Sequence, residues 1–355
     1  MNELDRRDFL RLAAAAAVTL SVSAQETPEV EELTIAAMQE GMRSGRFTAR
    51  RLAELHLARI ASIDRQLRSI IEINPDALTI ADALDRERKA GRVRGSMHGI
   101  PIVIKDNIDT ADRMHTTAGS LALADSIATR DAHLVRRLRE AGAVILGKTN
   151  LSEWANFRST HSTSGWSARG GLTRNPYALD RNACGSSTGS GAAVAASLAA
   201  AAIGTETDGS IVCPSTSCGI VGLKPTLGLV SRSGIIPISH SQDTAGPMAR
   251  TVTDTAILLG AITGIDSLDA VTLSSRGRVH ADYTQFLDPH GLRGARIGVA
   301  RQYFGFSDRV DAVMKDAIAA IEKLGATIVD EANLATKGQF DESAFEVLLS
   351  EFKHD

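Results

Sequence analysis

Between residues 69 and 146 the chain switches repeatedly between two periods. Residues 69–73, 100–104 and 143–146 are short apolar runs, the pattern of strands buried on both faces. Residues 77–90 and 132–140, which separate them, carry apolar side chains at helical spacing. A strand with no polar face needs cover on both sides, so the alternation predicts an α/β fold: a central, largely parallel or mixed sheet flanked by helices on both faces. The second half keeps the pattern, with a helix over 190–200, a strand near Ala202, a helix over 253–262, a strand over 296–299 and a helix over 310–324. Upstream, TIAAMQEGMRSGRFTARRLAELHLARIASIDRQ reads as two helices, the second capped by Thr48 with Leu52, Leu55, Leu57 and Ile60 on its inner face. Residues 268–292, with Pro289 and Gly291, read as a long surface connection within one mature domain.

The first residues follow another logic. Arg6 and Arg7 precede an apolar run over 12–22 that ends in Val22-Ser23-Ala24, the layout of a twin-arginine export signal cut after Ala24. That predicts a signal over 1–24, a catalytic domain over 25–355, dealings with the twin-arginine export machinery and a periplasmic or secreted protein. The run is too short to span a bilayer, so no stable membrane insertion is expected once the signal is removed. A net charge of −3 and the lack of a basic stretch interleaved with aromatics argue against a nucleic-acid partner. Three cysteines, Cys184, Cys213 and Cys218, are an odd count that argues against a disulfide framework and reads as small buried side chains. No His/Cys/Asp grouping has metal-ligand spacing, so neither metal nor cofactor is expected.

Three segments carry chemistry. CGSSTGSGAAVAA satisfies G-x-S-x-G with Ser187 at its tip, a candidate nucleophile elbow. An elbow follows a buried strand, however, and the preceding YALDRNAC is polar; Asp243 and His280, the available triad partners, sit in uninformative contexts. The second segment, GIPIVIKDN, delivers Lys105 from the end of an apolar strand, where desolvation would lower its pKa and make it a usable base. On its own, such a lysine could equally snorkel to the surface. In GTETDGSIVCPS, Gly209 allows a turn whose N–H groups form an anion-binding nest beside Ser210, although a lone serine there would be an ordinary turn residue. Together the three point to acyl transfer by a serine whose proton carrier is lysine.

GIPIVIKDNIDT, AGAVILGKTNLSEWANFRS, GWSARGGLTRNPY, CGSSTGSGAAVAA, GTETDGSIVCPS and CGIVGLKPTLGLVSRSGIIPIS resemble the amidase signature family, and within it the exported bacterial peptide amidases. The resemblance covers most of residues 33–355. It implies the amidase-signature α/β fold, with Lys105 as base, Ser186 as bridging serine and Ser210 as nucleophile. It also implies an oxyanion hole from the backbone of Thr207, Asp208, Gly209 and Ser210, and a cis peptide bond between Gly185 and Ser186. The implied reaction is hydrolysis of a carboxamide, such as a C-terminal peptide amide, to an acid and ammonia through an acyl-enzyme. Asp208 stands where the family usually has glycine, and Arg169 or Arg174 is a candidate partner for its carboxylate. Trp154, Trp166 and Tyr177 are candidates for lining the site or for core packing. Family members generally run further, and the apolar stripe of Phe345, Leu348, Leu349 and Phe352 asks for a partner surface. A chain shortened at its C-terminal side, with an incomplete pocket and no activity, is therefore one alternative. The other is the glutaminase-type subunit of a tRNA-dependent amidotransferase, which export would contradict.

Overall fold

The computed structural model of the protein describes residues 30–355; the twin-arginine segment lies outside the described residues. The first half contains α1 (Ile35–Arg43), α2 (Ala49–Leu67), β1 (Ile70–Ile73), α3 (Ala77–Lys89), β2 (Pro101–Lys105), α4 (His133–Glu140) and β3 (Val144–Thr149). Two small hairpins follow, β4 (Trp166–Ser167) with β5 (Gly171–Leu172) and β6 (Arg174–Asn175) with β7 (Ala178–Asn182). Next come α5 (Thr188–Ala195), β8 (Ala201–Glu206), α6 (Val212–Ser217), β9 (Val221–Gly222), β10 (Thr244–Ala249) and α7 (Val252–Ile262). The remainder holds β11 (Arg296–Gly298), α8 (Asp308–Lys323), β12 (Thr327–Val329) and α9 (Asp341–His354).

The central sheet is mixed, in the order β1-β3-β2-β8-β10-β9. Its middle, β3-β2-β8, is parallel, and β1, β10 and β9 pair antiparallel to their neighbours. Every residue of β2, β3, β8 and β10 is buried, so both faces of the middle of the sheet are covered, as the apolar residues at the start of β2, β3 and β8 require. Because β2 and β8 run the same way, Lys105 and Glu206 end their strands on the same edge, the edge where α/β folds place their sites.

The expected helix over 190–200 ends at Ala195 instead. Ser197 takes a left-handed turn (φ 56) and sends the following alanines into β8. Every residue of α5 is buried, and its small side chains let it lie against the chain around Asn150. A Cβ on Gly189 would come within 2.4 Å of the carbonyl oxygens of Asn150 and Ser69, so only glycine permits this approach. At the far end, Phe352 of α9 packs on Phe157 with ring centroids 5.0 Å apart, whereas Phe345 and Leu349 stay exposed.

Candidate active site

Lys105 is completely buried. Its Nζ lies 2.7 Å from Ser186 Oγ, 2.8 Å from Thr205 Oγ1 and 3.2 Å from the Thr205 carbonyl. Burial pulls its pKa from the usual 10.5 down to about 7, against the opposing pull of the Asp243 and Glu206 charges. The amine therefore has a lone pair near neutral pH, and a hydroxyl stands within reach to share its proton with it.

Ser186 and Ser210 come together although 24 residues separate them. Ser210 Oγ accepts from the Ser186 N–H at 3.3 Å, and the Ser187 N–H donates to the Ser210 carbonyl at 3.1 Å. The two hydroxyls themselves share no hydrogen bond, so the contact seen from Ser186 to Ser210 is through its backbone. After Ser210, the Glu206 carboxylate accepts from the N–H groups of Ile211 (2.6 Å) and Val212 (3.0 Å). Lys224 donates to the Thr207 carbonyl at 2.5 Å. These bonds pin both ends of the 207–210 loop while the N–H groups of Asp208, Gly209 and Ser210 donate to no other described residue. Gly209 has the left-handed φ of 80 that such a nest needs.

The elbow reading fails on geometry. Ser187 Oγ donates to the Thr205 carbonyl (3.0 Å) and accepts from the Thr205 N–H (3.1 Å), so its hydroxyl is locked to the backbone of β8. The Asp243 carboxylate is committed to Thr207 and to the N–H groups of Ile238 and Ser239, and His280 is exposed against Tyr283 and Phe286.

Four further expectations need correction. No peptide bond among the described residues is cis; the turn into Ser186 is made by left-handed Cys184 (φ 62) and Gly185 (φ 60) in succession. Asp208 has neither Arg169 nor Arg174 as a partner: it is exposed, where water suffices, and Arg169 is taken by Glu72 and, at 3.5 Å, by Asp106. Cys184 and Cys213 form a disulfide with Cα atoms 5.7 Å apart, leaving only Cys218 as a buried free thiol among the described residues. Parity misled here, because an odd count still allows one pair. The aromatic candidates do not line the cleft: Trp166 lies under Arg158, Tyr177 is 67% exposed, and Ala155 rather than Trp154 reaches it.

That cleft, about 430 Å³, opens beside the site. Asn107, Thr205, Thr207 and Asp243 form its floor, and the 235–238 segment supplies an apolar wall. His240, His354 and Asp355 stand at its rim, with His240 Nδ1 2.9 Å from Asp355.

A second buried lysine, Lys148, escaped the sequence reading. It is reached by the signal that marked Lys105, an apolar run ending in lysine.

The Amidase family model matches residues 51–355. A peptide amidase from Stenotrophomonas maltophilia superposes with a TM-score of 0.88 at 53% identity, over 92% of this chain and 67% of that one. A relative from Arthroderma benhamiae that carries the amidase name is 44% identical over 342 residues, 90% of this chain and 58% of that protein. A glutamyl-tRNA(Gln) amidotransferase subunit from Acinetobacter baumannii is 42% identical over 306 residues, 85% of this chain and 60% of that one. The chain thus spans about three fifths to two thirds of the length of these proteins. With this coverage of its own length and the serine-lysine geometry above, the chain belongs to the amidase family.

Proposed function

We propose that this site hydrolyses a carboxamide to an acid and ammonia by nucleophilic catalysis. The observation that carries the reading is the buried Lys105 amine, largely neutral above about pH 7, at 2.7 Å from the Ser186 hydroxyl. Lys105 takes the Ser186 proton while Ser186 takes that of Ser210, which attacks the amide carbon. For this step the Ser210 hydroxyl must hydrogen-bond the Ser186 hydroxyl; catalytic hydrogen bonds commonly tighten only with substrate bound. The free N–H groups of the 208–210 loop would hold the negative oxygen of the tetrahedral intermediate. The proton then returns through Ser186 to the leaving nitrogen, ammonia departs, and water repeats the sequence on the acyl-enzyme.

Similarity to the Stenotrophomonas peptide amidase favours a C-terminal peptide amide as substrate, and the Arg6-Arg7 segment favours export to the periplasm or beyond. Identity to the Acinetobacter protein favours a second reading, a glutaminase-type subunit working in the cytoplasm with partner chains; finding the protein outside the cytoplasm would remove it. The direct test is ammonia release from an amidated dipeptide. Wild type and Ser187→Ala should turn over, and Ser210→Ala and Lys105→Ala should not. Turnover by Ser210→Ala would refute the assignment.

A further inference from the structure

We propose that the Cys184–Cys213 disulfide is a positioning element for catalysis, holding the bridging serine against the nucleophile. This rests on the serine relay described above and adds to it the part that sets the relay's spacing. Cys184 lies two residues before Ser186, and Cys213 three residues after Ser210. Through the disulfide the two serines are joined by a short covalent path. Around the backbone they are 24 residues apart, with α5 and β8 between them.

The surroundings explain why a covalent tie matters here. Cys184 and Gly185 both sit at left-handed φ, a conformation that is unfavourable for cysteine. A Cβ on Gly185 would come within 2.4 Å of Pro214 Cδ, the residue after Cys213, so the two loops touch with no space for a side chain. One of the two hydrogen bonds across the gap is long. Ser186 N–H to Ser210 Oγ is 3.3 Å and Ser187 N–H to the Ser210 carbonyl is 3.1 Å, against a usual 2.9–3.0 Å for such bonds. From the other side the Ser186 loop is held by Ser152, whose hydroxyl donates to the Gly185 carbonyl at 3.0 Å and whose N–H donates to the Ser186 carbonyl at 3.2 Å. Those contacts fix the Ser186 loop against Ser152; its hold on Ser210 rests on the two bonds across the gap and on the disulfide. The disulfide is the covalent part of that hold, and both of its cysteines are half-buried, within reach of a small dithiol.

The test compares the oxidised protein, the protein reduced by dithiothreitol, and the double variant Cys184→Ser/Cys213→Ser. Reduction transfers two electrons and two protons from the dithiol, which closes to its cyclic disulfide as the protein pair becomes two thiols. Cys218, fully buried with its thiol pushed up to about 12 by desolvation, stays out of the exchange. Loss of the tie should lower kcat at least tenfold with KM within twofold. The acid limb of the pH profile should stay near 7, because the burial of Lys105 is untouched, and reoxidation of the reduced protein should restore kcat. Unchanged kcat would overturn the proposal. So would a fall in kcat with the limb moved toward 10, which would mean that water had reached Lys105 through a general loosening. Amide exchange gives a readout free of substrate: the Ser186 and Ser187 N–H groups should exchange at least tenfold faster without the disulfide, with β2 unchanged. Equal exchange at the two serines would overturn the proposal, and it decides the matter even if the oxidised protein releases no ammonia, a result that would count against the serine relay itself.

Discussion

Lys105 and Lys148 sit on successive rungs at the same end of the sheet, Lys148 paired with Ile104 and Lys105 with Thr149 across β2 and β3. Both are completely buried, and burial lowers both pKa values, to about 7 and about 8. Their partners differ. Lys105 faces the Ser186 hydroxyl, whereas Lys148 donates to the Ile108 carbonyl at 2.5 Å and to Thr116 Oγ1 at 2.9 Å, with Asp106 foremost among the carboxylates that favour its charged form. Burial makes a lysine's lone pair available, but only a partner with a proton to pass toward substrate makes it a base. At Lys148 the same chemistry ties the 108–116 segment to the sheet.

The sharpest way to break this contrast is to replace each lysine with methionine, which keeps the stem and removes the amine. Lys105→Met should cost roughly 10⁴-fold in kcat, the scale on which losing a member of a catalytic triad acts. Lys148→Met should keep kcat within about tenfold but leave the buried Ile108 carbonyl with only the 3.4 Å bond from Thr116 Oγ1, at a cost of about 1–3 kcal/mol. Steady-state kinetics and urea unfolding on both variants separate the roles; equal losses of activity would erase the distinction.

The two adjacent serines repeat the contrast on a smaller scale. Ser186→Ala interrupts proton transfer and should lower kcat by roughly 10²–10⁴-fold. Ser187→Ala removes both bonds to the Thr205 backbone and should appear chiefly as a loss of about 1–3 kcal/mol in stability, with most activity kept.

A still smaller effect is in pH. Activity should fall about tenfold per unit below pH 7 as Lys105 is protonated. Stability follows the same groups. Each lysine has a folded pKa below its unfolded value near 10.5, so between about pH 7 and 10.5 the unfolded chain binds more protons than the folded one. Their contribution to stability therefore rises with pH across that window and levels off below it. Urea unfolding at pH 7 and pH 9 should show the rise, and Lys105→Met should reduce it.

The sequence made the alternation of strand and helix legible, because strands apolar along most of their length, such as β2 and β8, leave a two-sided pattern. Lys105 was legible for the same reason, as a charge at the end of such a strand. Which strands neighbour one another was not, since β10 and β1 join antiparallel through pairings distant in sequence. Nor was the demotion of Ser187. Its hydroxyl is spent on backbone groups of Thr205, 18 residues away, and a glycine-serine string does not reveal which of its hydroxyls will be spent in this way. The disulfide was hidden likewise: Cys184 and Cys213 are 29 residues apart and meet only because α5 and β8 fold the chain back.

The most direct measurement is peptide mapping after reaction with a serine-directed fluorophosphonate, which tags the residue whose hydroxyl is activated. The tag should fall on Ser210, and it should vanish in Lys105→Met while persisting in Lys148→Met. A tag on Ser187, or labelling indifferent to Lys105, would contradict a nucleophile activated by the buried lysine at the end of β2.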